Sequence, residues 1–169
     1  KIMREGGNAI DGAVATALAL AVTHPTAGNI GGGGFIVYRA GDGTTTTFDF
    51  REMAPAGSNP AMWMKDGKYD FDIHHNSHRS VGVPGTVAGL YLAHQKLGSK
   101  PWKDLVLPAV ALARDGFEIS EGLAASLERM IPEFKKYPAS LAQFSKNGVP
   151  YKAGEILKQP DLARSLQRI

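Results

Sequence analysis

The chain has 169 residues, of which 43% are hydrophobic and 21% charged, and its formal net charge is +3. These proportions are typical of a folded domain and exclude an extensively disordered chain or a coiled coil. The absence of cysteine excludes disulfides and thiolate metal sites, and the basic residues are scattered, which argues against nucleic-acid binding.

The first predicted element is a helix over residues 8–22. Asn8 is placed to cap it, because an asparagine side chain accepts hydrogen bonds from the first turn of a helix. Apolar side chains recur at every fourth residue and form one stripe along the helix, at Ile10, Val14, Leu18 and Val22. This stripe predicts an amphipathic helix that packs on a core.

Four consecutive glycines at positions 31–34 end the loop that follows this helix. Glycine permits positive φ angles and close backbone approach. A phosphate-binding loop places its glycines after a strand and before a helix, whereas these precede a strand and no Gly-Lys-Ser/Thr follows. We therefore interpret the run as a tight crossing from helix to strand packed against the sheet, and we expect no nucleotide cofactor.

Residues 35–52 are predicted to form a β-hairpin around the turn-forming residues 41–43. Side chains alternate along a strand, so Phe48 and Phe50 would share one face while Thr47, Asp49 and Arg51 share the other. The threonines at positions 44–47 are interpreted as strand rather than as nucleophiles, because β-branched residues favour strands.

Arg51, between Asp49 and Glu52, is the main candidate for a binding residue, and we expect it near the end of the second strand. A guanidinium presents a rigid, permanently charged fork of donors that matches a carboxylate in two-point contact. The alternative is a structural ion pair with Asp49 or Glu52. Residue types alone do not choose between these two interpretations.

Residues 56–79 are polar and turn-rich and contain three histidines, His74, His75 and His78. On one helix, His74 and His78 would face the same way and could ligate zinc. We predict no helix there, and no acidic residue is spaced to complete a catalytic site. The sequence therefore predicts a surface excursion without a metal.

Helices are predicted to dominate residues 84–137, over 84–97, 102–115 and 120–137, and Pro108 and Pro132 are expected to break or restart the second and third of them. A last helix is predicted from Pro160. The expected core residues of this half are Trp102, Leu105, Val106, Val110, Leu112, Leu123, Leu127 and Met130. No cofactor motif occurs among them, and we interpret residues 1–169 as a single partial domain.

Several motifs in order resemble one known family. They are GGNAID at 6–11, ALAVTHP at 19–25, GNIGGGGF at 28–35, DFREMAP at 49–55, GVPGTVAG at 82–89 and LARDGF at 112–117. Together they closely resemble the N-terminal part of the large subunit of gamma-glutamyltranspeptidases. The resemblance spans nearly the whole chain and weakens after about residue 120.

The resemblance implies an α+β fold, part of the four-layer αββα sandwich of N-terminal-nucleophile hydrolases. It implies a precursor that cuts itself into a large and a small subunit, with a threonine at the start of the small subunit as nucleophile. The implied reaction transfers the γ-glutamyl group of glutathione and related amides to amino acid or peptide acceptors, or to water. Arg51 would bind the donor's α-carboxylate, and no cofactor or metal would take part. Members are usually exported to the periplasm or cell surface.

No threonine doublet followed by histidine, which opens the small subunit in that family, occurs in this chain. We therefore expect no catalytic residue within it. The chain starts at Lys1 and stops at Ile169 inside a helix-like run, so we expect it to be incomplete and inactive by itself. Two alternatives stay open: a related N-terminal-nucleophile amidase or acylase with another acyl donor, and a catalytically inactive structural fragment.

Overall fold

The computed structural model describes residues 1–169, which divide into two compact units, residues 1–28 with 98–169 and residues 29–97. The helices are α1 (Ala9–Thr23), α2 (Phe71–Asn76), α3 (Thr86–Leu97), α4 (Trp102–Asp115), α5 (Glu121–Phe134), α6 (Pro138–Phe144) and α7 (Pro160–Arg168). The strands are β1 (Phe35–Arg39), β2 (Thr45–Asp49), β3 (Met64–Lys65), β4 (Lys68–Tyr69), β5 (Phe117–Glu118) and β6 (Ile156–Leu157). None of the helices has both the length and the apolar character needed to cross a bilayer.

Helix α1 begins at a capping box. The Asn8 side chain accepts a hydrogen bond from the backbone N–H of Asp11, and the Asp11 carboxylate accepts one from the backbone N–H of Asn8. Each side chain satisfies an N–H that the first turn leaves without a helical partner. The predicted apolar stripe is buried, with exposures of 2% or less at Ile10, Val14, Leu18 and Val22.

Helix α4 packs against α1 and α7 in the unit formed by residues 1–28 and 98–169. The prediction that Pro108 breaks this helix is wrong, because α4 runs unbroken from Trp102 to Asp115. Proline removes one backbone hydrogen bond and crowds the preceding turn. Apolar side chains buried on either side of Pro108 offset that cost and hold the helix together, namely Leu105, Val106, Ala109, Val110 and Ala113.

Helix α5 begins after Ser120, whose hydroxyl accepts a hydrogen bond from Leu123 N at 3.2 Å. It continues through Pro132 to Phe134, so the expected break at Pro132 is also wrong, although the helix ends two residues later. The helix that was predicted to extend to residue 137 therefore ends at Phe134. Helix α6 follows, with Pro138 in its first turn. Met130, expected in the core, is 41% exposed, whereas Leu127 is buried.

All three sheets are antiparallel and two-stranded. Besides the predicted hairpin β1–β2, β3 pairs with β4 and β5 pairs with β6. The last pair joins Phe117 to Leu157 across forty residues, so no local turn signal could reveal it. The chain is helix-rich with small sheets, which is the predicted α+β class.

Residues 56–79 contain more regular structure than expected. A 3-10 turn at Pro60–Trp63 and the short β3–β4 pair precede α2, a helix of six residues. The expectation of no helix here is wrong because Asp70 caps α2, accepting a hydrogen bond from Ile73 N at 2.9 Å. His78 lies beyond the end of α2, in a separate 3-10 turn at His78–Ser80.

Candidate functional site

The β1–β2 hairpin presents the Arg51 segment. Its register pairs Ile36 with Phe48 and Phe35 with Asp49, and Phe50 N adds one more bond to Gly34 O at 3.0 Å. Phe48 is buried, whereas Thr47 and Asp49 are exposed, so the predicted alternation of faces is correct. The strand itself ends at Asp49, and Arg51 follows it by two residues.

Phe50 anchors the end of the hairpin on helix α3. A Cβ atom built on Gly89, within α3, would lie 2.1 Å from Cγ of the Phe50 ring. Only a glycine lets the aromatic ring lie this close to the helix backbone. A glycine inside a helix costs about 1 kcal/mol relative to alanine, and the packing of Phe50 offsets that cost.

The backbone at Arg51 is held between two glycines. A Cβ on Gly33 would lie 2.7 Å from Arg51 Cα and 2.6 Å from Phe50 O, and one on Gly85 would lie 2.1 Å from Phe50 O. Neither position has room for a side chain. The glycine run therefore packs directly against the segment that carries Arg51, as the sequence predicts for the crossing from helix to strand.

The two glycine-containing segments are also tied to each other by hydrogen bonds. Gly32 O accepts from Gly85 N at 2.8 Å and from Thr86 N at 3.0 Å. Asn29 Oδ1 accepts from Gly32 N at 2.8 Å and from the Thr86 hydroxyl at 2.7 Å. This network joins the glycine loop to the start of α3 and stiffens the support under Arg51.

The Arg51 side chain is exposed, and only its backbone N–H has a hydrogen bond to a neighbouring acid, to Asp49 Oδ1 at 3.1 Å. The ion pairs of this chain are Arg114–Asp115, Lys136–Glu133, Lys146–Glu155 and Arg164–Asp161. The alternative interpretation, an ion pair with Asp49 or Glu52, is therefore not realised. The guanidinium keeps its five N–H donors for another group.

The other residues considered as candidates from the sequence, the threonines and the histidines, take part in the fold. Thr45, Thr46 and Thr47 are strand residues of β2, as interpreted, whereas Thr44 precedes the strand. His74 and His75 pack among aromatic rings, with ring centroids 4.5 Å from Trp63 and 4.0 Å from Phe71, respectively. No group of three or more His, Cys, Asp or Glu side chains is placed to hold a metal ion.

Sequence reasoning missed two supports of the site, Gly85 and Gly89. Their four-residue spacing at the start of a helix is a signal for close packing, since residues four apart lie on one helix face. Nothing local identifies Phe50 as the partner, because it lies more than thirty positions away.

Comparisons with known proteins place these features in one family. The family profile described as gamma-glutamyltranspeptidase matches residues 1–169. A glutathione hydrolase proenzyme of Escherichia coli strain K12 is 49% identical over 99% of this chain and 29% of its own length. A similar proenzyme of Pseudomonas sp. strain A14 is 44% identical over 100% of this chain and 30% of its own.

A solved gamma-glutamyltranspeptidase of Helicobacter pylori superimposes with a TM-score of 0.95 at 41% identity, over 99% of this chain and 49% of that one. The architecture is that of the N-terminal-nucleophile hydrolases, α+β and part of their αββα sandwich, as predicted. The chain belongs to the gamma-glutamyltranspeptidase family. It spans about 30% of the length of the curated relatives it matches.

Proposed function

We propose that this chain supplies the donor-carboxylate site of an enzyme that transfers or hydrolyses the γ-glutamyl group of glutathione and related γ-glutamyl amides. Membership of the family supports this class of reaction. The observation that carries the proposal is the Arg51 guanidinium, which is exposed, lacks an ion pair and rests on a rigid backbone. Two of its N–H donors match the two oxygens of the donor's α-carboxylate.

The proposed chemistry is acyl transfer in two steps, with a threonine from the small subunit of the same precursor. Its hydroxyl, deprotonated by its own free amine, attacks the γ-carbonyl carbon. The amide C–N bond breaks, the leaving amine takes the proton, and a γ-glutamyl ester remains. Water, or the amine of an amino acid or peptide acceptor, then cleaves that ester. Arg51 holds the donor in place through both steps and performs no proton transfer.

The test compares two donors on the full-length, processed enzyme. One is a γ-glutamyl anilide, and the other is the same anilide with the α-carboxylate converted to a carboxamide. The carboxamide donor loses two charge-assisted hydrogen bonds, so its kcat/KM should be lower than that of the carboxylate donor by about a hundredfold or more. Equal turnover of both anilides would refute the proposed carboxylate site. Faster turnover of other acyl anilides would indicate an amidase or acylase of the same fold.

We also propose that the enzyme works in the periplasm or at the cell surface. The family resemblance is the support for this location. Cell fractionation, followed by assay of γ-glutamyl anilide hydrolysis in each fraction, tests it. Activity confined to the cytoplasmic fraction would contradict the proposed location.

A further inference from the structure

A cavity of about 400 Å³ lies in the unit formed by residues 29–97, next to the Arg51 segment. Its walls are mostly apolar and come from the stretch after Met53 and from the residues before Val83, among them Ala54, Pro55, Trp63, Val81 and Gly82. A cavity of this size lies at the lower end of the range of small-molecule sites, about 300–1,000 Å³.

Arg79 is the one charged residue that lines this cavity. Its Nη1 donates to the carbonyl oxygen of Met62 at 3.3 Å, and no ion pair joins it to an acid of this chain. The rest of the guanidinium fork is available to a ligand. An apolar compartment with one available cation suits a small organic anion with apolar parts, such as a carboxylate-ended peptide.

The cavity is held at a defined position relative to Arg51. Met53 and Val83 form an antiparallel bridge, with N–O distances of 3.1 and 2.8 Å. A Cβ on Gly82, in the cavity wall, would lie 2.9 Å from Glu52 Cβ, so these two segments are in close contact. Ala54 follows Arg51 by three residues, and three residues of extended chain span at most about 10 Å.

We propose that this cavity binds the peptide leaving group of the donor, and that Arg79 binds the C-terminal carboxylate of that peptide. The inference rests on the proposed function of Arg51. The two carboxylates of a γ-glutamyl tripeptide are separated by about three residues of extended chain, roughly 10 Å. Ala54, in the cavity wall, lies within the same reach of Arg51, because three residues of chain span at most about 10 Å. Arg79 would therefore make the enzyme prefer peptide donors with a free C-terminus.

The experiment uses the full-length, processed enzyme and two donors, glutathione and glutathione with its C-terminal carboxylate converted to a carboxamide. For the unaltered enzyme we expect kcat/KM to be about tenfold higher for the carboxylate donor, as for one charge-assisted contact. In Arg79→Ala this preference should fall to near one. The readout is the ratio of two donors, so a uniform loss of activity does not imitate the effect.

Lys65→Ala is the matched control, because Lys65 is an exposed cation of the same unit that does not line the cavity. It should keep the tenfold preference, and loss of that preference in Lys65→Ala would point to a diffuse positive field instead. A preference near one in the unaltered enzyme, or a tenfold preference that survives in Arg79→Ala, would overturn the proposal. Absence of the preference in the unaltered enzyme overturns the proposal even if Arg79→Ala does not fold.

Failure of the underlying function gives a different pattern. If the enzyme turns over none of three donors, namely glutathione, its carboxamide and a γ-glutamyl anilide, both the proposed function and the cavity assignment are wrong. If all three donors are turned over and the two glutathione forms react equally well, only the assignment of Arg79 is wrong.

Discussion

At the scale of single residues, Arg51 combines a permanent charge with a fixed position. Its side chain is exposed, while its backbone is held between Gly33 and Gly85. An exposed side chain by itself loses rotamer freedom on binding a ligand. The rigid backbone limits the total conformational entropy lost on binding, because only the side-chain torsions remain to be ordered. In this way a residue just beyond a strand would present the proposed carboxylate site.

Replacing Arg51 with alanine in the full-length enzyme should lower kcat/KM for γ-glutamyl donors by about a hundredfold or more. The two hydrogen bonds to the α-carboxylate, each about 1.5–3 kcal/mol, are both lost. Arg51→Lys should also be poor, because one ammonium cannot reproduce the two-point contact. Steady-state kinetics with glutathione and a γ-glutamyl anilide measure both effects.

Arg39→Ala is the control for that measurement, since Arg39 is an exposed arginine at the other end of the same hairpin. It should retain kcat/KM within about threefold, as expected for an exposed charge with no partner. Near-normal kinetics in Arg51→Ala would show that Arg51 does not bind the donor.

At the scale of elements, glycines determine how the hairpin meets the loop before α3. Gly85 has no room for a side chain, because its Cβ would lie 2.1 Å from the backbone oxygen of Phe50. Backbone atoms cannot rotate away as the end of a flexible side chain can. The segment carrying Arg51 would have to move if this glycine were replaced.

Gly85→Ala should therefore destabilise the enzyme by about 1–3 kcal/mol, the usual cost of overpacking, and lower kcat/KM as well. Gly31→Ala is the matched control, because a Cβ at Gly31 meets nothing within 4 Å. Thermal denaturation and donor kinetics on both variants test this. Equal melting temperatures for the two variants would contradict the close packing at Gly85.

The start of α1 is joined to the start of α4 by one buried carboxylate. Asp11 is fully buried and accepts hydrogen bonds from the Ser99 hydroxyl at 2.6 Å and from Ser99 N at 3.0 Å. Burial alone would raise the pKa of Asp11, but the hydrogen bonds from Ser99, Asn8 and Lys100 together lower it below the ordinary value. The charged form is therefore the one that the folded chain favours.

Asp11→Asn should lower the free energy of unfolding by about 1–3 kcal/mol at neutral pH, because an NH2 group replaces one of the two oxygens that accept hydrogen bonds from Asn8, Ser99 and Lys100. Since the folded pKa of Asp11 is lowered, its contribution is complete above the unfolded pKa of about 3.9 and is lost as pH falls toward the folded value. The difference between the variant and the unaltered enzyme should therefore shrink below about pH 4. Urea denaturation at several pH values measures it.

Glu128→Gln is the control, because Glu128 is an exposed carboxylate on α5 of the same unit. Its unfolding free energy should stay within about 0.5 kcal/mol of the unaltered value at every pH. A difference for Asp11→Asn that is constant between pH 3 and 7 would show that ionisation of Asp11 does not contribute.

At the scale of the whole molecule, the chain contains the proposed carboxylate-binding residue, Arg51, and we expect the nucleophile of the proposed reaction to lie outside it. The 169-residue chain by itself should not hydrolyse a γ-glutamyl anilide, whereas the full-length, processed enzyme should. Release of the coloured aniline, measured for both proteins, tests this. Turnover by the chain alone would show that it contains its own nucleophile. That residues 1–169 form a single partial domain stays a prediction.

Local patterns in the sequence were enough to predict α1, the β1–β2 hairpin, α4 and the α+β class, together with Arg51 as the candidate residue. Caps, turn residues and hydrophobic periodicity act over a few positions, so they can be identified from the sequence alone. The predictions at Pro108 and Pro132 were wrong because tertiary contacts, which local patterns do not show, decided the outcome there. Local rules predict a break at a proline, but the buried contacts of α4 and α5 outweigh that local cost.

The sequence by itself determined the family resemblance, the chemistry available at Arg51 and the absence of a threonine doublet followed by histidine. Only the tertiary structure decided that Arg51 has no ion pair with its neighbours and that Gly33 and Gly85 hold its backbone. It alone also placed Arg79 in a cavity beside that segment. The last two of these facts depend on residues about twenty to thirty-five positions apart in the chain, and contacts over such separations arise only when the chain is packed.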